Sequence, residues 1–230
     1  MIETDPLPGI VLPAPGYLDA VRAATTDAGA LLIVDETHTL SAGPGGCTRA
    51  WGVDPDVVTL GKAIGGGVPA GAYGLRADLA ERIEGDPRAD LEDVGGVGGT
   101  LAGNPLSVAA MRATLEHVLT DDAFAEMCAL GERFVAGVAH AIAQAGLPWC
   151  VTGLGARAEV RFCPEPPASG GASAAAADDE LDELLHLYLA NRRILITPFH
   201  NMALMCPETT GADVDRHTAA FAELTAELSA

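Results

Sequence analysis

Pro55-Asp56-Val57-Val58-Thr59-Leu60-Gly61-Lys62-Ala63-Ile64-Gly65-Gly66-Gly67 reads as a short buried strand running into a glycine-rich turn that carries the only lysine of the chain. A β-branched run of this length, bounded by proline and glycine, fits a strand covered on both faces of a sheet. The glycines behind it allow a ligand to approach the backbone closely. Lys62 stands against twelve arginines. Arginine keeps its proton in a protein, whereas a lysine ammonium can be deprotonated when desolvated or placed beside another charge. A genome biased away from lysine would also leave few of them, but a surface survivor belongs on a helix face with acidic neighbours. The position of Lys62, between a strand and three glycines, points instead to a site that needs an amine.

Working outward, residues 18–28 have the spacing of a short amphipathic helix, and Ala30-Leu31-Leu32-Ile33-Val34-Asp35 is a continuous apolar run that ends in an acid. Residues 41–52 read as a glycine-rich loop, 73–75 as a third short strand and 77–83 as a helix, the alternation expected of an α/β sheet with crossovers. Residues 95–104 form another glycine-rich loop, and proline near the start of 105–119 favours a helix there. A further helix over 121–145 is closed by Gly146, and 158–162 alternates like a half-exposed strand. Residues 164–177, rich in Pro, Ser, Gly and Ala, read as a mobile surface loop before a helix that starts at Asp178-Asp179 and ends near Arg192-Arg193. A short strand over 194–197 and a helix over 213–228 complete the chain. A boundary is expected near residues 115–125.

The 230 residues suffice for one large domain or two small ones, and 49% hydrophobic composition supplies a core. A net charge of −19 without a basic cluster argues against nucleic acid or an anionic membrane surface as a partner. Five scattered cysteines without metal-ligand spacing imply no metal and fit a reducing, cytoplasmic setting. No apolar run is long enough to span a bilayer.

Ligands of open α/β sheets lie beyond the carboxyl ends of the strands. Asp35 ends one strand and Lys62 follows the next, which serves a reactive amine and its acid, or equally a plain buried ion pair. Gly98-Gly99-Thr100-Leu101-Ala102-Gly103-Asn104-Pro105 adds backbone amides and a hydroxyl at the start of a helix, suited to a phosphate oxygen.

Taken in order, Val34-Asp35-Glu36, the stretch from Pro55-Asp56 through Thr59 to Pro69 with Gly71-Ala72-Tyr73-Gly74, and Gly99-Thr100 with Gly103-Asn104-Pro105-Leu106 resemble the fold-type I pyridoxal-phosphate enzymes. The likeness is to the class III aminotransferases and their glutamate-1-semialdehyde 2,1-aminomutase branch, and it covers nearly the whole chain. It implies an α/β fold in which residues 1–120 are the C-terminal part of a mostly parallel-sheet large domain that binds the cofactor. Residues 121–230 would then be a small C-terminal α+β domain. It also implies a transaminase that uses pyridoxal 5'-phosphate to move an amino group between an amino donor and a keto or aldehyde acceptor.

By the same resemblance Lys62 would form the internal aldimine and, once displaced by substrate amine, carry the proton between substrate and cofactor carbons. Asp35 would face the pyridine nitrogen and keep it protonated. Thr37 occupies the position where such enzymes often pack a small aliphatic residue on the ring. Gly99 and Thr100 would hold the cofactor phosphate of the neighbouring subunit, making the active site a property of a homodimer. His38 receives no role and reads as a hydrogen-bonded residue after a strand. The segment from Thr197-Pro198-Phe199-His200 through Asp213-Val214-Asp215 resembles the aminomutase branch and lacks the arginine that other branches use for a substrate carboxylate. Arg49 and Arg157 are available cations, each also readable as a structural ion-pair partner.

Family members carry a substantial segment before the strand that ends at Asp35, with the rest of the sheet and the main phosphate-binding turn. The chain is therefore expected to be the C-terminal portion of such an enzyme and to bind cofactor weakly by itself. Two alternatives stand beside the transaminase reading: an aminomutase of the glutamate-1-semialdehyde type, and a truncated, non-catalytic remnant or interaction module.

Overall fold

The computed structural model describes residues 2–3, 9–86, 88, 101–197 and 200–230. They form two compact units, one built of residues 2–3 with Gly16–Leu40 and Gly45–Thr120, the other of residues 9–15 with Ser41–Pro44 and Asp121–Ala230.

The first unit is a four-stranded sheet in the order β1 (Ile2–Glu3), β2 (Ile33–Asp35), β3 (Val57–Leu60) and β4 (Ala72–Leu75). β1, β2 and β3 run parallel and β4 pairs antiparallel with β3. Helix α1 (Tyr17–Asp27) precedes β2, and α2 (Gly46–Ala50), α3 (Ala77–Glu84) and α4 (Pro105–His117) follow along the chain. Asp56 ties these parts together. Its buried carboxylate accepts from the amide of Leu32 at 2.7 Å, from Arg22 Nη1 at 3.0 Å and from Arg76 Nη1. It thereby joins α1, the approach to β2 and the start of α3. The Leu32 amide bond outweighs burial and, with the two guanidiniums, holds the Asp56 carboxyl below the ordinary carboxylate range.

Two expectations for this unit need correction. Strand 30–35 shortens to Ile33–Asp35, with Leu32 and Val34 buried but Leu31 half-exposed, and β3 is half-buried along its length rather than covered on both faces. The described helices of the unit leave part of the sheet open, so that even Tyr73 on β4 stays 47% exposed. The glycine-rich loop of residues 41–52 is instead a 3-10 turn, Thr39–Ala42, followed by α2. The cause is Glu36, 1% exposed, whose carboxylate accepts from the Thr39 hydroxyl, from Cys47 N at 3.1 Å and from the amide and hydroxyl of Thr48. A carboxylate bound to the first amides of a short helix acts as its cap.

In the second unit the long helix α5 (Asp121–Ala145) packs on α8 (Gly211–Leu228), burying Phe124, Phe134 and Val138 with Val214, Phe221 and Leu224. The sheet is antiparallel, in the order β5 (Cys150–Leu154), β6 (Arg157–Arg161) and β7 (Met202–Leu204). Gly131 permits the contact between α5 and the β5–β6 turn, because a Cβ there would stand 2.4 Å from the carbonyl oxygen of Gly155.

The strand expected to be half-exposed is buried at every position of β6. Alternation there separates an apolar face, Ala158 and Val160, from a charged one, Arg157, Glu159 and Arg161, and protein covers the charged face too. Glu159 Oε2 accepts from the Ile10 amide at 2.6 Å, while Oε1 lies 3.8 Å from Arg161 Nη1 and 3.7 Å from His200 Nδ1. Residues 164–177 are not a loop throughout: helix α6 (Gly170–Ala175) forms there, capped by Ser169, which accepts from Ala172 N at 3.1 Å. The guanidinium of Arg161 donates to the carbonyl of Ser173, which also accepts from Ala176 N at 3.2 Å, and so ties the end of that helix to β6. α7 (Asp179–Asn191) starts at Asp178, whose side chain accepts from Leu181 N. Residues 194–197 are not a regular strand, although Thr197 N donates to Met202 O at 3.0 Å.

Candidate active site

The sheet of the first unit brings its chemistry to one edge. Asp35 is the last residue of β2 and pairs in register with Thr59 of β3, and the next amide, Glu36 N, donates to Thr59 O at 2.9 Å. Three residues beyond Thr59 the chain reaches Lys62. Asp35 and Lys62 thus sit at the carboxyl ends of adjacent parallel strands, the edge at which open α/β sheets present ligands.

The Lys62 backbone is in the left-handed region, φ 49, one of two non-glycine residues with positive φ among those described. A lysine there carries strain of about 1 kcal/mol that glycine would avoid. It opens a single 3-10 turn, Lys62–Gly65, whose Ile64 is buried at 1% exposure while the lysine side chain is exposed. The turn is seated on α4. A Cβ on Gly66, φ 56, would stand 2.6 Å from Thr114 Oγ1, and Ser107 Oγ donates to Pro69 O at 2.9 Å. Asn104 caps α4 by accepting from Ser107 N at 3.0 Å, so Gly103-Asn104-Pro105 is a helix entry docked on the lysine turn.

Burial of Asp35 opposes its ionisation, but the hydroxyl and amide of Thr37, the hydroxyl of Thr59 and the charge of His38 prevail and hold the carboxyl below its ordinary value. The Thr37 amide donates to Asp35 Oδ1 at 2.9 Å. Thr37 also fits against Gly61, where a Cβ would meet the Thr37 methyl at 3.2 Å. Gly61 thus lets the β3 turn close on the residues that follow Asp35. An ionised carboxylate, a hydroxyl and a primary amine at one sheet edge suit a ring that carries a basic nitrogen and an aldehyde.

Asp35, Thr37 and Lys62 therefore lie on neighbouring elements of the same edge. Gly99 and Thr100 lie outside the described residues. His38 acts electrostatically on Asp35. Of the two cations considered for a substrate carboxylate, Arg49 is exposed at the end of α2, whereas Arg157 is 2% exposed and donates to Met202 Sδ at 3.0 Å, a packed position closed to substrate. Sequence reasoning missed Glu36 as the buried organiser of the following loop. Its partners lie up to twelve residues away, and a Glu beside an Asp carries no local signal of burial. Among the described residues no group of His, Cys, Asp and Glu could hold a metal ion, and no helix is long and apolar enough to cross a membrane.

The profile of the class-III aminotransferases matches residues 7–186. A glutamate-1-semialdehyde 2,1-aminomutase of Thermomicrobium roseum is 37% identical over 191 residues, 83% of this chain and 43% of the relative. A solved glutamate-1-semialdehyde aminomutase of Pseudomonas aeruginosa PAO1, in complex with PMP, superposes with a TM-score of 0.88 at 42% identity, covering 96% of this chain and 49% of that one. A β-phenylalanine aminotransferase of Variovorax paradoxus superposes with a TM-score of 0.84 at 32% identity, covering 97% and 50%. The chain spans about half the length of the relatives it matches.

Proposed function

Because this chain belongs to the class-III aminotransferases, we propose that it carries the reactive lysine of a pyridoxal-phosphate-dependent transaminase that moves an amino group from an amino donor to a keto or aldehyde acceptor. In this reading residues 1–120 are the C-terminal part of the cofactor-binding domain, residues 121–230 a small α+β domain, and the enzyme works in the cytoplasm. The observation that carries it is Lys62, an exposed amine held in a strained turn at the carboxyl edge of a sheet, next to the strand that ends in an ionised Asp35.

Pyridoxal phosphate, when bound, supplies an electron-accepting ring beside the substrate carbon that loses its proton. Lys62 would hold the cofactor covalently and, once freed by the substrate amine, would act as the base that moves the proton between carbons. Asp35, kept ionised by Thr37 and Thr59, would meet the ring nitrogen and keep it protonated. Thr37 would pack on the ring, and its hydroxyl fixes the Asp35 carboxylate. Gly99 and Thr100 would hold the phosphate of a cofactor in the second subunit of a homodimer.

Borohydride reduction of the chain in the presence of pyridoxal phosphate, followed by peptide mass mapping, tests the lysine assignment. The label is expected on Lys62, lost in Lys62→Ala and diminished in Asp35→Asn. Label confined to the amino terminus would sink the assignment. The aminomutase reading is favoured by the names of the relatives at 37% and 42% identity. Supplying an amino donor with a separate keto acceptor distinguishes the two, since nitrogen transfer to the acceptor marks a transaminase and positional exchange within one substrate marks a mutase.

A further inference from the structure

The second unit contains a cavity of about 290 Å³ formed by the segment Arg193 to Thr197, the region of β7 and the first turns of α8. None of Asp35, Thr37 and Lys62 lines it. Phe134, Ile194 and Met205 furnish an apolar wall, and the charged groups in the lining are Arg193, Arg216 and Asp213. At this volume it lies near the small end of ligand pockets, suited to a molecule of a few carbons.

Arg193 is the second non-glycine residue with positive φ, 62. It stands just past the end of α7, where its amide donates to Ala190 O at 2.9 Å and the Ile194 amide donates to Leu189 O at 3.0 Å. This is the left-handed helix stop that glycine makes without strain, whereas a residue with a side chain is strained there. The stop itself needs the backbone conformation, not a guanidinium. Among the described residues Arg193 makes no ion pair, and it lines the cavity.

The second observation is His217 on α8. It is 6% exposed, lines the cavity and packs against Phe134 at 4.5 Å between ring centroids. Its Nδ1 is buried without a hydrogen-bond partner, an unfavourable state for a polar atom. Burial holds the imidazole neutral, with its pKa pushed down to about 4. The third observation is charge. Asp213 is engaged by the Thr210 amide at 3.0 Å and hydroxyl at 2.7 Å and lies 3.5 Å from Arg216, so the lining carries two arginines against one occupied carboxylate in a chain of net charge −19.

We propose that this cavity binds a small carboxylate with a short apolar tail, its anionic end met by the Arg193 guanidinium with Arg216 alongside and its tail lying on the wall of Phe134, Ile194 and Met205. Arginine matches a carboxylate bidentately. The buried ring of His217 lines the cavity and reports on its occupancy. The site stands independently of the reaction proposed above, because no residue assigned to the cofactor takes part.

The test is a titration of the whole chain, without cofactor, with hexanoate, followed in the carbon-13-resolved proton spectrum of the six histidine rings, with His217 assigned through His217→Gln. A saturable shift of the His217 signal with a dissociation constant near or below about 1 mM is expected. Arg193→Gly is expected to weaken it at least tenfold while melting at the same or a higher temperature, since glycine relieves the backbone strain. Absence of saturation by about 10 mM hexanoate, undiminished binding in Arg193→Gly, or equal binding of hexanol would each overturn the proposal.

Discussion

Lys62 holds a backbone conformation that favours glycine, and it does so at a turn flanked by glycines on both sides. A purely structural lysine has no reason to carry that strain. Lys62→Gly is therefore expected to raise stability by up to about 1 kcal/mol, measured by the urea midpoint, while abolishing borohydride labelling. A loss of stability would mean that the side chain supports the turn instead. The lysine, the acid at the end of β2 and the glycine-rich entry to α4 were legible as residues, because each stands where a local pattern changes. The carboxylate of Glu36 was not, since what defines it is a set of donors supplied by residues 39, 47 and 48 after the chain has folded back.

At the scale of elements, contacts between distant segments decide the outcome. Asp56 links α1, β2 and α3 through one buried carboxylate. Arg22 and Arg76 are partly exposed, so removing the charge by Asp56→Asn is expected to cost about 2 kcal/mol, less than for a fully buried pair, as read by denaturant unfolding. Because the Asp56 pKa is depressed in the folded state, this contribution is present above the unfolded carboxylate value and is lost as pH falls through the folded one. Gly131→Ala places a methyl against a backbone oxygen, which the β5–β6 turn must move to accommodate, and a loss of about 2 kcal/mol is expected. The longer helices could be read from period, from proline near the start of α4 and from the acids that open α7, while the structure adds Asn104 as the cap of α4 and the Thr210–Asp213 capping box of α8. Helix α6 could not, because a composition of Pro, Ser, Gly and Ala conceals Ser169 as a cap and gives no sign of Arg161 at the other end. β6 misled because alternation separates two faces without revealing that both are covered.

For the molecule as a whole, acid is the informative perturbation. His217 has its pKa pushed down to about 4, whereas the unfolded chain binds that proton near 6.5. Stability is complete above the unfolded value, begins to fall below about pH 6.5 and has lost about 3 kcal/mol from this group once pH reaches the folded value. His217→Phe is expected to flatten the pH dependence of the melting temperature across that window, and an unchanged slope would show that other groups govern it. The charged face of β6 has a further consequence. Arg157, Glu159 and Arg161 are all buried there, Glu159 lies beside Arg161, and Arg161 also serves α6, so replacing Glu159 or Arg161 alone strands the other away from water. Such positions evolve jointly: in a saturation library they should reject nearly every single exchange yet accept concerted apolar replacement, a form of epistasis written into one five-residue strand.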